Sequence, residues 1–160
     1  MRDTALDSAI HVNGIEELLE TFENAPEVLR SHIVIALGSS GMIVEKNVKL
    51  GTPVKTRNLR GSIVLQTTPL QAAKGLKVTV GTPVIYGEPV EYGTDEHEIH
   101  AKNAPFLTFQ INGNWIKVKS VSHPGSDGAF MFRDGLEASR SRIMTLFQKA
   151  VDDSRKELGL

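Results

Sequence analysis

The chain has 160 residues, with 18 Lys and Arg, 19 Asp and Glu, five His and no Cys. This length predicts one domain with a substantial core, and the lack of cysteine excludes disulfides, iron–sulfur clusters and thiol catalysis. A net charge of −1 argues against a strongly basic nucleic-acid binder.

The start of the chain shows no targeting signal. Residues 1–7 carry two acids and no apolar run, and the longest wholly apolar stretch, 33–37, has five residues. A membrane-spanning helix needs about 20 such residues. We therefore expect a soluble, unsecreted protein with no membrane partner.

The first segments predict a tail and a helix. Residues 1–12 show no hydrophobic period and are expected to form a loosely ordered tail ahead of a single domain over 13–160. An amphipathic helix is predicted next, because apolar residues recur at i, i+3, i+4 and i+7: Ile15, Leu18, Leu19 and Phe22.

A second helix is predicted from Pro26 toward Val48, since proline is favoured in a first helical turn. One side of it carries Val28, His32, Ile35, Ser39, Met42, Ile43 and Lys46. His32 is interpreted as a partly buried histidine on this stripe. Gly38 and Gly41 each cost about 1 kcal/mol relative to alanine, so we expect close helix packing or a kink there.

The pattern changes to strands after Pro53. Strands are predicted at 62–66 and 76–80, joined by an exposed loop at 67–74, and a short strand is predicted at 98–102. Together with a hairpin further along, they predict an antiparallel sheet of four to five strands.

The hairpin is the strongest local signal. Asn112 and Gly113 form a favoured two-residue turn. The turn predicts the cross-strand pairs Ile111–Asn114, Phe109–Ile116, Leu107–Val118 and Thr108–Lys117. Apolar residues then face apolar ones and polar residues face polar ones, which defines the register.

A long final helix is predicted after a Ser/Gly/Pro loop at 120–128, with Asp127 as its N-cap. Its apolar stripe consists of Phe132, Leu136, Ile143, Phe147, Ala150 and Val151. The fold class is therefore α+β, with N-terminal helices, an antiparallel sheet and a long C-terminal helix.

Catalytic motifs are scarce. The chain contains no phosphate-binding loop, dinucleotide fingerprint, serine-hydrolase elbow or zinc-protease motif. The nearest pattern is His97-Glu98-x-His100, but on a strand residues i and i+3 point to opposite faces. Solvated polar residues are the favoured interpretation. The alternative is a small metal-dependent hydrolase that uses His97, Glu98 and His100, with His123 as a further ligand. We expect no enzyme and no cofactor.

Charge is distributed in blocks. Residues 1–29 hold seven acids and one base, 46–77 hold seven bases and no acid, and 82–101 hold five acids and no base. Such blocks pair within one fold, or they give a molecule with unlike faces that suit head-to-tail stacking of copies. A nucleic-acid-binding module acting through 46–77 is a further alternative, although that segment has no aromatic residue for base stacking.

An ordered set of short motifs carries a family resemblance. The chain reads TPVKTRNLRGSI at 52–63, GTPVIY at 81–86, VEYGT at 90–94 and AFMF at 129–132. This order, over about residues 53–151, resembles a minor tail component family of tailed phages and prophages, the tail-completion or neck proteins. Arg57 stands where that family usually has Gly, and Ala129 where it frequently has Pro.

The resemblance implies a virion structural protein of the head–tail interface that acts by assembly. It further implies a self-assembled ring, six-fold by analogy with tail symmetry. The implied partners are tail terminator, tail tube or head-connector proteins, with DNA at most passing through the lumen. The implied location is the tail or neck of the virion, and the host cytoplasm during assembly.

The candidate structural and interface residues are Leu59, Arg60, Ile63, Leu70, Tyr86, Glu91 and Gly93. Leu59 and Ile63 are four apart and are predicted to anchor a short helical or turn segment in the core. Arg60 is predicted to pair with Glu91. Gly93 is expected to adopt a backbone conformation that a side chain would oppose.

Two exposed connections are the predicted partner contacts. Leu70 is an apolar residue in the loop at 67–74, and the second connection is the loop at 120–128. Exposed connections carry most recognition, so we expect both loops to contact neighbouring proteins.

Overall fold

The computed structural model describes residues 26–55, 57–66 and 77–159 of the chain. The α+β class is confirmed, with long helices near both ends of this part and small antiparallel strands between them. The predicted tail at 1–12, the helix at 15–22 and the loop at 67–74 lie outside the described residues.

Four helices and eight strands are present in this part. The helices are α1 (Glu27–Gly51), α2 (Asn58–Ser62), α3 (Gly87–Tyr92) and α4 (Met131–Glu157). The strands are β1 (Val64–Leu65), β2 (Val80–Gly81), β3 (Gly93–Thr94), β4 (His97–His100), β5 (Leu107–Ile111), β6 (Asn114–Val118), β7 (Ser120–His123) and β8 (Ser126–Asp127).

The two long helices, α1 and α4, pack antiparallel and form the body of the fold. Near the start of α1, Ile33 and Ala36 pack with Ala150 of α4. Near its end, a second cluster consists of Val48, Leu59, Ile63, Met131 and Phe132. Asn47 donates a hydrogen bond to the Ser139 hydroxyl between the helices, at 2.9 Å. Burial of these two clusters is the main stabilising contribution to the body.

The predicted extent of α1 is confirmed, but its predicted inner face is wrong. Ile35 and Met42 are 66% and 59% exposed, whereas Ile33 and Ala36 are buried. Apolar residues occur around most of this helix, so periodicity did not define the face that α4 covers. His32 is half-buried and hydrogen-bonds Glu157 at 2.9 Å.

Close packing rather than a kink accommodates Gly41. A Cβ there would come within 2.4 Å of Val78 and 2.6 Å of Leu65, so the strand pair β1–β2 lies directly against this position. By length and composition α1 could also cross a membrane. The short apolar stretch at 33–37 had led us to expect no such helix. A core helix has the same length and composition, and α1 buries one side against α4.

The strands do not form the predicted single sheet. They form four separate two-stranded antiparallel ladders: β1–β2, β3–β8, β4–β7 and β5–β6. The predicted strands at 62–66, 76–80 and 98–102 correspond to the shorter or shifted β1, β2 and β4. Sequence alternation predicts that a strand exists but not which strand it joins, because pairing partners are distant along the chain.

Three of the ladders follow one another along a single hairpin, residues 93–127, which we call the arm. The register is constant from the Gly93–Asp127 pair to the His100–Ser120 pair. Residues 102–106 then form a bulge before β5 and β6. None of the arm residues, all of them described, is buried. The three ladders contain eleven cross-strand pairs, which at about 3.3 Å per residue correspond to roughly 35 Å of paired strand.

The end of the arm confirms the predicted hairpin. The turn is Asn112 and Gly113, with φ of 52° and 83°, and the four predicted cross-strand pairs are all formed. Both turn residues adopt the left-handed region that such a two-residue turn requires.

The start of α4 differs from the prediction. Residues 120–128 are not a loop, since they contain β7 and β8, and Asp127 lies in β8 instead of capping the helix. The N-cap is Phe130, with φ of 46°, and its side chain makes no capping hydrogen bond. The cap comes from a distant residue, Glu91, which local sequence could not reveal.

Candidate functional site

The first motif, 52–63, folds around α2. Leu59 and Ile63 are both buried and belong to the core cluster at the end of α1. Arg57, the N-cap of α2, has φ of 63°. An arginine therefore holds a left-handed conformation that glycine adopts freely, at a cost of about 1 kcal/mol.

Hydrogen bonds join this motif to the second one, at 81–86. The Asn58 amide donates to the Tyr86 hydroxyl at 3.0 Å. The hydroxyls of Ser62 and Thr82 lie 2.6 Å apart. Tyr86 is also the N-cap of α3, so this exposed side chain ties α2 to the helix that carries Glu91.

The predicted Arg60–Glu91 ion pair is not formed. Arg60 donates from Nη2 to the Thr52 carbonyl at 2.9 Å, and its buried Nε has no hydrogen-bond partner among the described residues. Glu91 instead contacts the backbone of α4. Opposite charges in neighbouring sequence blocks did not predict the contacts that form, because each side chain bonds to backbone groups instead of to the other.

Glu91 is a buried carboxylate, 4% exposed, that caps α4. One oxygen accepts the Phe132 N–H at 2.9 Å and the other accepts the Arg133 N–H at 3.2 Å. A carboxylate at this end satisfies free amides and complements the positive end of the helix dipole. The backbone repeats the link, since Ala129 N–H donates to Val90 and Phe130 N–H donates to Glu91. The bond to Val90 needs an N–H at position 129, which the proline frequent there in the family would lack.

Gly93 begins the arm directly after α3, with φ of 83°. A Cβ at this position would lie 2.3 Å from the Ser126 carbonyl oxygen and 2.8 Å from the Gly128 nitrogen. The backbone conformation and the close approach of β8 both require glycine here.

The histidines of the arm divide between its two faces. His97 and His123 are cross-strand partners whose rings stack with centroids 5.1 Å apart. His100 lies on the opposite face, 3.2 Å from Glu98. Among the described residues no group of three or more His, Cys, Asp or Glu side chains is placed to hold a metal ion.

An open cleft of about 550 Å³ lies where α3 meets α4, beside the root of the arm. Its apolar wall consists of Tyr92, Phe130, Phe132 and Leu136. Its charged residues are Glu91, Arg133, Asp134 and Glu137. No local motif indicated this cleft, because it depends on how α3 and α4 are joined.

Arg133 holds one side of the cleft in place. Its Nε donates to Asp134 at 2.8 Å, and its guanidinium carbon lies 3.9 Å above the Phe130 ring. The hydrogen bond to Asp134 raises the pKa of Arg133, so this arginine stays charged at any working pH. Asp134 is thereby partly neutralised, whereas Glu137 contacts Arg140 only at 3.5 Å.

The remaining candidate, Leu70, lies outside the described residues. The other six candidates lie in or beside three elements. They are Leu59 and Arg60 in α2 and Ile63 directly after it, Tyr86 and Glu91 at the start and near the end of α3, and Gly93 at the root of the arm. The first two of the four motifs that carry the resemblance are in contact, and a long helix follows Gly128, as the resemblance implies.

The comparisons with known proteins identify the family. Residues 16–93 match the family described as "Bacteriophage HK97-gp10, putative tail-component". The match begins earlier than the predicted resemblance and leaves most of the arm and α4 outside it. No curated protein and no solved structure matches the chain. Residues 16–93, just under half of the chain, are therefore similar to this phage tail-component family, which confirms the resemblance predicted from its motifs.

Proposed function

We propose that the chain is a tail-completion or neck protein of a phage or prophage, which forms a ring and docks to tail and connector proteins. The family match supports a structural role in the virion. The observation that carries the finer proposal is the arm, a hairpin of which no residue is buried although aromatic side chains lie near its end. Exposed apolar surface of this kind is typical of a site that a partner covers.

The proposed role requires assembly and no turnover, with no cofactor. The proposed location is the tail or neck of the particle, and the host cytoplasm before assembly. The hydrolase alternative is not favoured, since His97 and His100 lie on opposite faces of β4. In the basic segment, Lys49 is bound to Glu45 and Arg60 to a backbone carbonyl, which does not favour a nucleic-acid site.

The proposal is tested in a phage or induced prophage that encodes the chain. Deleting its gene should give normal heads and tails that fail to join, seen by electron microscopy, and a plasmid copy should restore joining. Mass spectrometry should detect the chain in purified particles. Intact, infectious particles without the chain would contradict the proposal.

A further inference from the structure

The end of the arm, residues 101–119, is basic and aromatic. It contains Lys102, Lys117 and Lys119 and no acidic residue. Trp115, the only tryptophan of the chain, is 70% exposed, and Phe106 is exposed as well. Trp115 and Lys117 share one face of β6, opposite the face that carries Phe109 and Ile116. Tryptophan is among the residue types enriched at the centre of interfaces and at binding hot spots.

The root of the arm has the opposite charge. Asp95, Glu96, Glu98 and Asp127 lie there. In the adjoining cleft Asp134 is paired with Arg133, which leaves Glu137 as the exposed acid that a second cation could approach. The cleft wall beside these acids is aromatic and apolar. At about 550 Å³ this open cleft has room for a large aromatic side chain.

We propose that the tip of the arm in one copy docks into the cleft at the arm root of a second copy, with Trp115 against the aromatic wall and Lys117 beside Glu137. This inference rests on the proposed self-assembly and names its interface. The basic tip and the acidic root complement each other in charge, and the tip supplies aromatic surface where the cleft wall is aromatic.

The cleft is filled from another copy because the paired strands of the arm separate it from its own tip. The arm begins at Gly93, next to the cleft, and the described residues that line the cleft include none from the tip. Each copy offers one tip and one cleft, so the contact is heterologous. Such a contact repeats around a ring when the rotation closes.

Trp115 reports docking directly in the intact protein. Between about 1 μM and 1 mM, self-association should shift Trp115 emission to shorter wavelength and lower its quenching by acrylamide. Sedimentation velocity on the same samples should show the matching rise in mass. Emission and quenching that stay constant across this range would overturn the inference.

Two variants separate the halves of the interface. The tip variant carries Trp115→Ala and Lys117→Glu, and the cleft variant carries Tyr92→Ala and Glu137→Lys, all at exposed positions. Each alone should associate at least about tenfold more weakly than the parent protein. Mixed together they should form a dimer that stops at two copies, since one intact tip and one intact cleft remain.

The matched control is Lys46→Glu, an exposed lysine of α1 outside the tip and cleft, which should leave association unchanged. Association that survives both the tip and the cleft variants would overturn the inference. So would protection of Trp115 only on addition of a different tail protein, or salt-sensitive DNA binding that depends on Lys117.

The outcome is distinct from that of the gene deletion. If the chain is found in particles and is needed for joining, while the tip variant assembles normally, the arm inference fails and the proposed function stands. If tip and cleft pair in solution but particles form without the chain, the proposed function fails instead.

Discussion

The helical body buries its apolar side chains, whereas the arm leaves its own partly or fully exposed to solvent. In the body, α1 and α4 bury two apolar clusters between them and α2. In the arm, six strands pair only in twos, and its apolar residues stay half-buried or exposed. A two-stranded hairpin is marginally stable on its own. The body therefore supplies most of the free energy of folding, and the arm's apolar side chains contribute little to it.

The largest expected change in stability comes from truncating a buried isoleucine of the body, compared with one of the arm. Ile63→Ala should lower the free energy of unfolding by about 3 kcal/mol, because Ile63 is fully buried in the body. Ile116→Ala in the half-buried face of β6 should cost less than about 1 kcal/mol. Urea unfolding followed by circular dichroism measures both. Equal costs would show that the arm belongs to the cooperative core.

Gly93→Ala should release the arm from the body. The positive φ and the 2.3 Å approach to the Ser126 oxygen together should cost about 2 kcal/mol. We expect faster amide exchange throughout the β3–β8 ladder, with α1 and α4 little changed. Gly113→Ala, which meets no atom within 4 Å although its φ is also positive, is the control and should affect only the turn.

Glu91→Gln should weaken the junction between the two regions. The carboxylate accepts two amide hydrogen bonds at the start of α4, and its loss should cost about 1–2 kcal/mol of unfolding free energy. Glu88→Gln, an exposed position of α3, should change stability by less than about 0.5 kcal/mol. If the two variants melted alike, Glu91 would not be the cap of α4.

Arg57→Gly should stabilise the body by up to about 1 kcal/mol. The residue holds φ of 63°, which glycine adopts without the penalty that a side chain carries. Thermal melting measures the gain, and Arg57→Ala should give none because alanine keeps a Cβ. A lower melting temperature for the glycine variant would mean that the arginine side chain itself contributes.

The smallest expected effect is a pH dependence in the body. The hydrogen bond from Lys49 lowers the pKa of Glu45, and the Leu65 N–H, at 2.8 Å, contributes in the same direction, joining β1 to α1. A lowered folded pKa means that the stabilisation is complete above the unfolded pKa and is lost as pH falls through the folded one. The unfolding free energy should fall less between pH 7 and about pH 3 in Glu45→Gln than in the parent protein, by about 0.5 kcal/mol. Chemical unfolding at pH 7 and near pH 3 compares the two proteins.

Sequence reasoning succeeded where the signal was local. The extents of α1 and α4, the Asn112-Gly113 turn with its register and the family motifs were all readable, because they depend on residues a few positions apart. It failed for the inner face of α1, the Arg60–Glu91 pair and the cap of α4. Each of these depends on which distant segment supplies the contact.

The sequence by itself determined the helices, the hairpin and the kinship with phage tail components, since periodicity, turn chemistry and short motifs are properties of neighbouring residues. Only the tertiary structure decided that three ladders align into one unburied arm and that Glu91 joins that arm's root to α4. Both depend on the packing of segments far apart in the chain. That packing is the one that buries the apolar side chains and pairs the backbone groups of the whole chain at the same time.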